Sequence, residues 1–549
     1  MKRFFIMASA AAALMASAQF FIPGNQRQEM PQLPPDQKLR YAEKVIETYY
    51  VDSVNSDKVV TEAINAMLKT LDPHSSYSDP EETRELTIPL EGNFSGIGIQ
   101  FNMLNDTLFV IQTTSGGPSE KVGILPGDRI LQAGDSVLSG VKSPNSRILR
   151  ILRGPKGTEV ALKVLRKGVA QPLAFNVIRD DIPVYSVDAS YMADPTTGYI
   201  RISRFAESTN EEFEKALAKL RKEGMKNLII DLEDNGGGFL NAATDLASHF
   251  LQKGDLIVYT DAPKLGKHEY LVEKKGDFTD GKVVVMANQY SASASEILSG
   301  ALQDNDRGLV VGRRTFGKGL VQRPFPIPDG SMIRLTVSRY YTPSGRCIQK
   351  DYSNSALYDH DILDRYNRGE MFSEDSIKLD KNLLFHTVNG RTVYGGGGIM
   401  PDIFVPNDTS RITSYYLNVA NAGLLQKFAF DYVDANRERL EEAKDVDELL
   451  SLLPKDDRLL RQFVNFAAKN GIAPRWYYIN ISHDLIVTQL KALIARDTLG
   501  YNDYFRLINE ADTNVTRAVQ EILEGAADIP VTSDRNSASA TSLGASDKQ

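Results

Sequence analysis

The sequence predicts a multidomain protein whose largest part is an α/β core. From residue 183 to about residue 405, apolar runs of strand length alternate with amphipathic helical segments. Upstream, residues 93–179 alternate glycine with apolar residues in short segments typical of β structure. Residues 40–69 and 440–523 carry helical periodicity, so we expect a helical region on either side. A chain of 549 residues with 42% apolar content can bury several cores.

The amino terminus has the pattern of a secretory signal peptide. Two basic residues precede an apolar run over residues 4–15, and an A-x-A cleavage site follows at residues 16–18. Apolar character continues to Ile22, so an uncleaved membrane anchor is the alternative. Residues 19–36 are rich in Pro, Gln and Asn and predict a linker. We therefore expect an exported protein, with the periplasm as its compartment.

Charge and residue content exclude several classes of protein. A formal net charge of −8 argues against nucleic acid as a partner. Cys347 is the single cysteine, which excludes an intramolecular disulfide and leaves no lipid-attachment cysteine near the amino terminus. The six histidines lie outside G-x-S-x-G and H-E-x-x-H frames, so a Ser-His-Asp triad has no local support.

The main chemical signal is Ser-Ala-Ser-Ala-Ser-Glu at residues 291–296. Residues 282–287 predict a buried strand, and residues 293–303 predict the helix that follows it. A hydroxyl at that junction lies beside unpaired backbone N–H groups, which suits a nucleophile that must form an oxyanion. Helix capping is the ordinary role of such a serine, but one cap requires one serine. The residues alone do not choose among Ser291, Ser293 and Ser295.

Lys318 is the candidate base for such a serine. A serine hydroxyl becomes nucleophilic when a base takes its proton, and a lysine can act as that base when burial lowers its pKa. Gly317 and Gly319 allow the backbone to fold tightly around Lys318, although a solvated turn is the alternative.

Residues 312–318 also satisfy the G-x-x-x-x-G-K pattern of a nucleotide-binding P-loop. Gly319 stands where that motif needs a hydroxyl for Mg²⁺. Three prolines, at positions 324, 326 and 328, exclude the helix that must follow. We therefore exclude ATP binding.

Together with Gly-Arg-Arg-Thr-Phe-Gly-Lys-Gly-Leu-Val-Gln at residues 312–322, the serine segment resembles the C-terminal processing peptidases, also called tail-specific proteases. The resemblance implies that Ser293 is the nucleophile, Lys318 the general base and Gln322 a support for the lysine. In an ideal strand, four residues span about 13 Å, so Gln322 can reach Lys318 only if the backbone turns near Gly319.

A glycine cluster is similar to another family segment. Asp-Leu-Glu-Asp-Asn-Gly-Gly-Gly at residues 231–238 follows the pattern D-L-R-x-N-P-G-G, with Glu233 for Arg and Gly236 for Pro. Glycines after a strand can expose backbone N–H groups, although a plain turn would need only one of them. By resemblance, the amides of Gly237 and Ala294 form an oxyanion hole, and which glycine of 236–238 donates is left open.

Two further segments match the family in the expected order. Residues 396–402 resemble its G-G-G-I-x-P-D segment, and residues 71–77 resemble its L-D-P-H-S-x-Y segment. We expect His74, within a D-P-H-S-S turn, to be a structural hydrogen-bonding residue without a catalytic role.

Residues 93–179 resemble a PDZ domain. A glycine-rich loop before an edge strand offers N–H groups to a terminal carboxylate, while the strand pairs with an extended peptide. A β-bulge shaped by the glycines is the alternative. The resemblance implies a peptide-binding site made of Gly96, Ile97, Gly98 and Ile99.

The resemblance implies a serine endopeptidase that recognises C-terminal tails of exported proteins through its PDZ domain and cleaves them by Ser-Lys acyl-enzyme chemistry. No metal or organic cofactor is implied. Expected partners are unfolded or C-terminally exposed proteins, with a homo-oligomer or a regulatory partner bound through the C-terminal helices. A catalytically inactive PDZ scaffold is the alternative; an acyl-CoA enzyme would leave Lys318 and the PDZ segment unexplained.

The fold implied is a crotonase-like α/β protease core with an inserted β-rich PDZ domain and helical regions at both ends. The expected limits are a signal peptide at 1–18, a linker at 19–36, a helical amino-terminal region at 37–90, the PDZ domain at 91–180, the protease core at 181–408 with a polar insertion at 351–389, a helical extension at 409–529 and a disordered tail at 530–549.

Overall fold

The computed structural model describes residues 33–104 and 106–525. The expected signal peptide or anchor, most of the linker and the expected tail lie outside these residues. The chain forms two compact units, and the boundary between them follows Thr70. Among the described residues, no helix has both the length and the apolar character that crossing a membrane requires.

The first unit contains two helices. Helix α1 (Pro35–Tyr49) begins with a proline, whose missing N–H is not needed at that position. Helix α2 (Ser56–Lys69) is capped by the Asn55 side chain, which accepts a hydrogen bond from the Lys58 amide. The helical periodicity of this region therefore predicted its structure.

The second unit begins with β1 (Ser76–Ser78) and α3 (Pro80–Glu91) and continues into a small β domain. A sheet of β3, β4, β5, β7 and β8 in that order forms its centre, with β6 on β5 and the pair β2–β9 beside it, so β3 lies at an edge. Burial alternates along β7, as expected for a strand with one face on a core. The elements are β2 (Asn93–Gly96), β3 (Ile99–Leu104), β4 (Thr107–Thr113), α4 (Pro118–Lys121), β5 (Arg129–Ala133), β6 (Ser136–Val137), α5 (Asn145–Leu152), β7 (Glu159–Leu165), β8 (Leu173–Ile178) and β9 (Asp180–Pro183).

The α/β core is built on a six-stranded sheet with the order β10-β11-β12-β15-β16-β21, in which β21 is Ile403–Phe404. All neighbours in it are parallel except β10 and β11. A second sheet has the order β1-β18-β13-β14, with β17 paired to β18. The elements are β10 (Val187–Met192), β11 (Thr197–Ile202), α6 (Thr209–Lys222), β12 (Asn227–Asp231), α7 (Leu240–Ser248), β13 (Leu256–Asp261), β14 (His268–Leu271), β15 (Val283–Ala287), α8 (Ala294–Asp304), β16 (Leu309–Gly312), β17 (Leu320–Pro326) and β18 (Met332–Tyr341).

The parallel arrangement brings three motif-bearing loops together. Strands β12, β15 and β16 are neighbours, and the carboxyl ends of parallel strands lie at the same edge of a sheet. The glycine cluster follows β12, the serine segment follows β15, and the lysine segment follows β16. Strand β17 takes the place of the helix that a P-loop would require, which agrees with the exclusion of ATP binding.

The polar segment at residues 351–389 is folded onto the core. It contains α9 (Ser355–Asn367), a short 3₁₀ turn (Glu374–Ser376) and β19 (Leu384–His386), which pairs with β20 (Thr392–Tyr394). Strand β21 (Ile403–Phe404) then completes the main sheet. Arg365 and Glu370 are buried, so the charged residues of this segment do not simply face solvent.

The remaining chain is helical, as its periodicity predicts, and has an apolar core of its own. It also contacts both other parts of the unit: Phe430 packs edge-on against Phe109 of the small β domain, and the last helix covers one face of the main sheet. The helices are α10 (Ser414–Asn421), α11 (Leu424–Leu440), α12 (Val446–Leu452), α13 (Asp456–Lys469), α14 (Trp476–Ile481), α15 (His483–Thr498), α16 (Tyr501–Asn509) and α17 (Thr513–Leu523). The predicted multidomain α/β fold is confirmed.

Candidate active site

Ser293 occupies a strained position between β15 and α8. Its φ of +57° and ψ of −112° lie outside the regions that residues with a Cβ ordinarily adopt. A sharp strand-to-helix turn of this kind also carries the nucleophilic serine of α/β-hydrolases. Strain held in place by surrounding structure is typical of functional residues.

The three serines of the segment have different environments. The Ser291 hydroxyl donates to the Leu232 carbonyl at 2.7 Å, and the Ser295 hydroxyl donates to the Asn235 carbonyl at 2.8 Å. Both side chains are fully buried, whereas Ser293 is partly exposed. The flanking serines therefore fasten the turn to the glycine loop, and Ser293 is the one of the three that a substrate can reach.

The Glu296 carboxylate joins the serine segment to the lysine segment. It accepts hydrogen bonds from the amides of Ser293, Gly317 and Lys318 at 2.8, 2.7 and 2.9 Å, and from the Thr315 hydroxyl at 2.6 Å. Burial raises the pKa of Glu296, and these four donors oppose that effect. The sequence contained this residue inside the serine motif but gave no sign of its structural role.

Tyr340 on β18 makes a second connection between the two segments. Its hydroxyl lies 2.7 Å from the Lys318 carbonyl and 3.1 Å from the Ser293 carbonyl, so it can donate to either. The side chain is almost completely buried. The backbones that carry the predicted nucleophile and the predicted base are therefore held together from both sides.

The Lys318 side chain is partly buried, and its ammonium donates to Gln322 Oε1 at 3.0 Å. Lys318 lies before β17, which begins at Leu320, so strand geometry does not hold over the whole interval between Lys318 and Gln322. Burial and the positive charge of Arg334 lower the pKa of Lys318, and the negative charges of Glu296 and Asp72 oppose this. Lys318 therefore loses its proton more readily than a solvent-exposed lysine does.

Gln322 is held in turn by the segment at residues 71–77. Its side-chain amide donates to the His74 carbonyl. The Asp72 carboxylate fixes this turn, because it accepts from the His74 amide at 2.8 Å and from the Thr336 hydroxyl at 3.0 Å. The His74 imidazole contacts the Tyr358 hydroxyl, and burial, followed by the nearby charge of Lys318, lowers the pKa of His74 to about 4. These contacts agree with the expected hydrogen-bonding role of His74.

The segment at residues 351–389 supports the lysine loop. Arg365 donates to the Thr315 carbonyl at 3.0 Å and to the Arg314 carbonyl. Glu370 accepts from both Arg314 and Arg365 at 2.7 Å, so two buried guanidinium groups share one carboxylate. No spacing in the sequence indicated these contacts, since they join residues about 50 positions apart.

The glycine loop lies directly against the serine turn. A Cβ at Gly237 would fall 2.8 Å from Ser293 Cβ and 2.9 Å from the Ala294 nitrogen, and the φ of this residue is +102°, so only glycine fits. The Gly237 amide donates to Asn235 Oδ1 at 2.8 Å. It is therefore engaged in this conformation, and its predicted role as an oxyanion donor requires that Asn235 release it.

Other amides of the serine turn and the glycine loop are available. Ala294 is the first residue of α8, where an amide has no partner within the helix. Among the hydrogen bonds of the described residues, none uses the amide of Gly238. Which glycine of 236–238 donates therefore stays open: the Gly237 amide must first be released by Asn235, and no hydrogen bond among the described residues uses the amide of Gly236 or of Gly238.

A cleft of about 890 Å³ reaches the site at Gln322, although neither Ser293 nor Lys318 lines it. Gln322 lies in its wall together with Phe239 and Leu240, the residues that follow the glycine loop, and Val321 and Val337 add apolar surface. A cleft of this size can hold several residues of an extended peptide. Among the described residues, no group of three His, Cys, Asp or Glu side chains has the arrangement of a metal site.

The predicted peptide-binding loop lies at the start of edge strand β3. The carbonyls of Ile97 and Gly98 accept from the amides of Ser119 at 3.0 Å and Thr114 at 2.9 Å. Among the described residues' hydrogen bonds, none uses the amides of Ile97 or Gly98. Gly96 belongs to the β2–β9 ladder, Ile97 is buried and Ile99 is partly buried. The loop therefore has unused donors beside an apolar surface.

Comparison with known families assigns most of the chain. Peptidase family S41 matches residues 196–354, and a PDZ domain matches residues 95–188. The amino-terminal domain of the activating protease CtpB matches residues 6–83, and a family of unknown function matches residues 415–500.

Two individual proteins are similar in sequence to this chain over longer stretches than any of these family matches. The chain is 36% identical to the carboxy-terminal-processing protease of Bartonella bacilliformis over 345 residues, which is 62% of this chain and 77% of the relative. It is 34% identical to the carboxy-terminal processing protease CtpB of Bacillus subtilis, over 63% of this chain and 72% of the relative.

Solved structures with detectable similarity include the photosystem II D1 C-terminal processing protease. It is 24% identical, with a TM-score of 0.34, over 69% of this chain and 95% of that one. A putative S41 protease from Bacteroides fragilis is 14% identical, with a TM-score of 0.36, over 61% of this chain and 94% of that one.

The sequence relationships favour a peptidase over an inactive scaffold or an acyl-CoA enzyme. With relatives of 34–36% identity covered over more than two thirds of their length, the chain belongs to the carboxy-terminal processing proteases, serine peptidases with a PDZ domain.

Proposed function

We propose that the protein is an exported endopeptidase that cuts proteins selected by their C-terminal tails, with Ser293 as nucleophile and Lys318 as base. The observation that carries this proposal is the environment of Ser293. It is the one partly exposed serine of three, it has a strained backbone, and Glu296 and Tyr340 hold its segment against that of Lys318.

The reaction follows from these groups. Neutral Lys318 Nζ accepts the proton of Ser293 Oγ while Oγ forms a bond to the carbonyl carbon of the substrate. The resulting ammonium gives that proton to the leaving amine as the peptide C–N bond breaks, which leaves an acyl-enzyme. Water then attacks the ester carbonyl carbon as neutral Lys318 accepts a proton from it. Lys318 returns this proton to Ser293 Oγ as the ester C–O bond breaks, which releases the acid and regenerates the serine and the neutral amine.

Gln322 orients the base in this scheme. A neutral amide oxygen accepts a lysine N–H without adding the negative charge that would keep the amine protonated. The lone pair of Nζ is then available on a side that Gln322 does not occupy. The lowered pKa of Lys318 supports the same assignment.

The oxyanion would be bound by the Ala294 amide and one amide of the glycine loop. Gly237 is the assigned loop donor, and rotation of the Asn235 side chain would release its amide. Its close approach to Ser293 supports the assignment. An Asn235→Ala variant, which removes the competing acceptor, tests whether this release is needed.

The PDZ domain would receive the substrate's terminal carboxylate on the amides of Ile97 and Gly98, within the predicted site of Gly96, Ile97, Gly98 and Ile99. The tail would then add a strand to the free edge of β3. Unfolded or C-terminally exposed proteins fit this mode, because their ends are free to extend.

We also propose the domain limits of the sequence analysis, with the PDZ domain at 91–180 and the protease core at 181–408. The ends of β2 and β9, which pair with each other, support the first of these limits. Export through a signal peptide at residues 1–18 rests on the sequence pattern alone. Sequencing the amino terminus of the mature protein tests the cleavage site.

The proposal is tested with purified protein and one unfolded substrate that carries an apolar tail. A serine-directed phosphonate should add its mass to wild-type protein at Ser293, and Ser293→Ala should lose both this labelling and the cleavage. Ser291→Ala and Ser295→Ala are the matched controls and should keep a measurable rate. Wild-type turnover in Ser293→Ala would contradict the assignment.

Tail selection is tested separately. The substrate with a free carboxyl terminus should be cleaved well, and the amidated form should show a raised KM, because amidation removes the anion that the loop amides would hold. Equal cleavage of the two forms over a full concentration series would contradict a role of the loop in selection.

A further inference from the structure

Glu233, in the loop that leads to the glycines, is almost completely buried at 8% exposure. Its Oε1 lies 3.3 Å from Arg313 Nη2 and accepts a hydrogen bond from Asn514 Nδ2 at 3.0 Å. The D-L-R-x-N-P-G-G pattern has arginine at this position, and an arginine could not accept either bond. The loop of this chain is therefore held by a residue of the C-terminal extension.

Glu233 lies near other carboxylates, so the side chains that donate hydrogen bonds to it are needed to hold its position. Burial, followed by the carboxylates of Asp231 and Asp512, raises the pKa of Glu233 to about 8, while Arg313 and Arg201 oppose that effect. A buried carboxyl group surrounded by other carboxylates depends on its hydrogen-bond donors to keep one position. Asn514 is one of two side chains that donate to it among the described residues.

Both the backbone and the side chain of Asn514 are held by hydrogen bonds. It lies at the start of α17, where the Asp512 carboxylate accepts its backbone amide at 2.7 Å. Three apolar residues of the helix, Val515, Ala518 and Ile522, pack on the main sheet. Its side chain is 6% exposed, and Oδ1 has no hydrogen-bond partner among the described residues. The bond from Nδ2 to Glu233 is thus the one side-chain hydrogen bond of Asn514 among the described residues. It determines how this amide is oriented.

A continuous path leads from Glu233 to the catalytic turn. Two residues beyond it, the Asn235 carbonyl accepts from the Ala292 amide at 3.0 Å and from the Ser295 hydroxyl at 2.8 Å. The Asn235 side chain accepts from the Gly237 amide. A shift of the loop at Glu233 would therefore move both the serine turn and the amides beside it.

We propose that α17 of the C-terminal extension is a positioning element of the active site, and that Asn514 is a positioning residue which acts through Glu233 on the glycine loop. The inference rests on the proposed function of Ser293. It makes catalysis depend on docking of a helix that lies about 220 positions after the nucleophile, outside the peptidase family match.

The experiment compares Asn514→Ala with Asn509→Ala in the full chain. Asn509 is the matched control, since it is also buried and also donates from the extension to the core, to the Tyr191 hydroxyl at 2.8 Å. Small displacements of reacting groups have large effects on rate, so Asn514→Ala should lower kcat about ten- to hundredfold, with KM within about twofold of wild type. The rate of Ser293 labelling by a small phosphonate should fall in parallel.

Asn509→Ala should lower the melting temperature by a similar amount but keep kcat within about threefold of wild type. Glu233→Gln is the second variant. It keeps an acceptor for Asn514 but replaces the carboxyl group next to Arg313 by an amide, and it should show an intermediate loss of kcat. A folded Asn514→Ala protein with wild-type kcat, or equal kcat losses in the two asparagine variants, would overturn the inference. Activity in Ser293→Ala would instead contradict the proposed function.

Discussion

Lys318 and Lys350 are two partly or fully buried lysines near the same loop, and their partners differ. Lys350 Nζ lies 3.1 Å from the Asp361 carboxylate and about 4 Å from the ring centres of Phe316 and Tyr358. Lys318 donates to the neutral oxygen of Gln322. Burial lowers the pKa of both groups, and carboxylates oppose it at both. Asp361 does so through direct contact with the Lys350 ammonium, whereas Glu296 and Asp72 act on Lys318 through their charge alone.

This difference in partners suits Lys318 to act as a base and Lys350 to act as a structural cation. A carboxylate and two ring faces stabilise the charged form of an amine, whereas an amide oxygen accepts a hydrogen bond from either form. Lys350 is therefore suited to remain protonated and hold α9 against the lysine loop. Lys318 is suited to lose its proton, because burial lowers its pKa.

The largest expected effect comes from removing the base. Lys318→Met should lower kcat by about 10²–10⁴-fold, the range that positioned acid–base groups contribute. Lys318→Arg is the matched variant and should be equally impaired, because a guanidinium stays protonated. Steady-state cleavage of an unfolded substrate measures both, and a clearly active Lys318→Arg protein would show that this side chain is not the base.

The pH dependence of the wild-type protein tests the protonation state of Lys318 without a mutation. Because only the neutral amine accepts a proton, kcat/KM should rise with pH, about tenfold per unit below the lysine pKa, and level off above it. The midpoint should lie below the ordinary lysine value of about 10.4. His74, whose pKa is lowered to about 4, titrates too low to account for this step. A flat profile from pH 6 to 9 would argue against a lysine base.

Replacing Gln322 by a carboxylate should give Lys318 an environment like that of Lys350. Gln322→Glu places a carboxylate beside the Lys318 ammonium, as Asp361 lies beside Lys350, and so raises the pKa of Lys318. At neutral pH we expect kcat/KM to fall by about tenfold or more, with recovery at higher pH. Gln322→Ala is the control that removes the contact without adding charge. An unchanged profile in Gln322→Glu would mean that this contact does not tune the base.

The smallest effect on catalysis is expected from replacing Lys350. Lys350→Met should lower the free energy of unfolding by about 1–3 kcal/mol, because the cation–π contacts are lost and Asp361 is left without its partner. Thermal denaturation measures this loss. Activity below the melting transition should stay within about threefold of wild type, and a loss as large as that of Lys318→Met would place Lys350 in the reaction.

The sequence predicted the strand, turn and helix around the serines because these elements are set by local patterns over a few residues. It did not distinguish Ser291, Ser293 and Ser295, since their difference lies in hydrogen bonds to Leu232 and Asn235, about 60 positions away. Resemblance to a family supplied that choice.

Contacts across long separations account for most of what the sequence did not reveal. Gln322 is held by His74, 248 positions away, and Glu233 by Asn514, 281 positions away. Nothing in the periodicity of either segment encodes such pairs. The departure of Glu233 from the family pattern was visible, but its partners became identifiable only when α17 was seen to cover the sheet.

The wide separation of His74 and Gln322 has a consequence for the newly made chain. Strand β1 pairs with β18 across the inserted PDZ domain, so the support for Lys318 assembles only after residues up to about 340 have been synthesised. Pairings this distant in sequence form late, since long loops must close first. A nascent or truncated chain that already contains Ser293 is thus expected to be unable to cut its neighbours, which confines proteolysis to molecules that have completed folding.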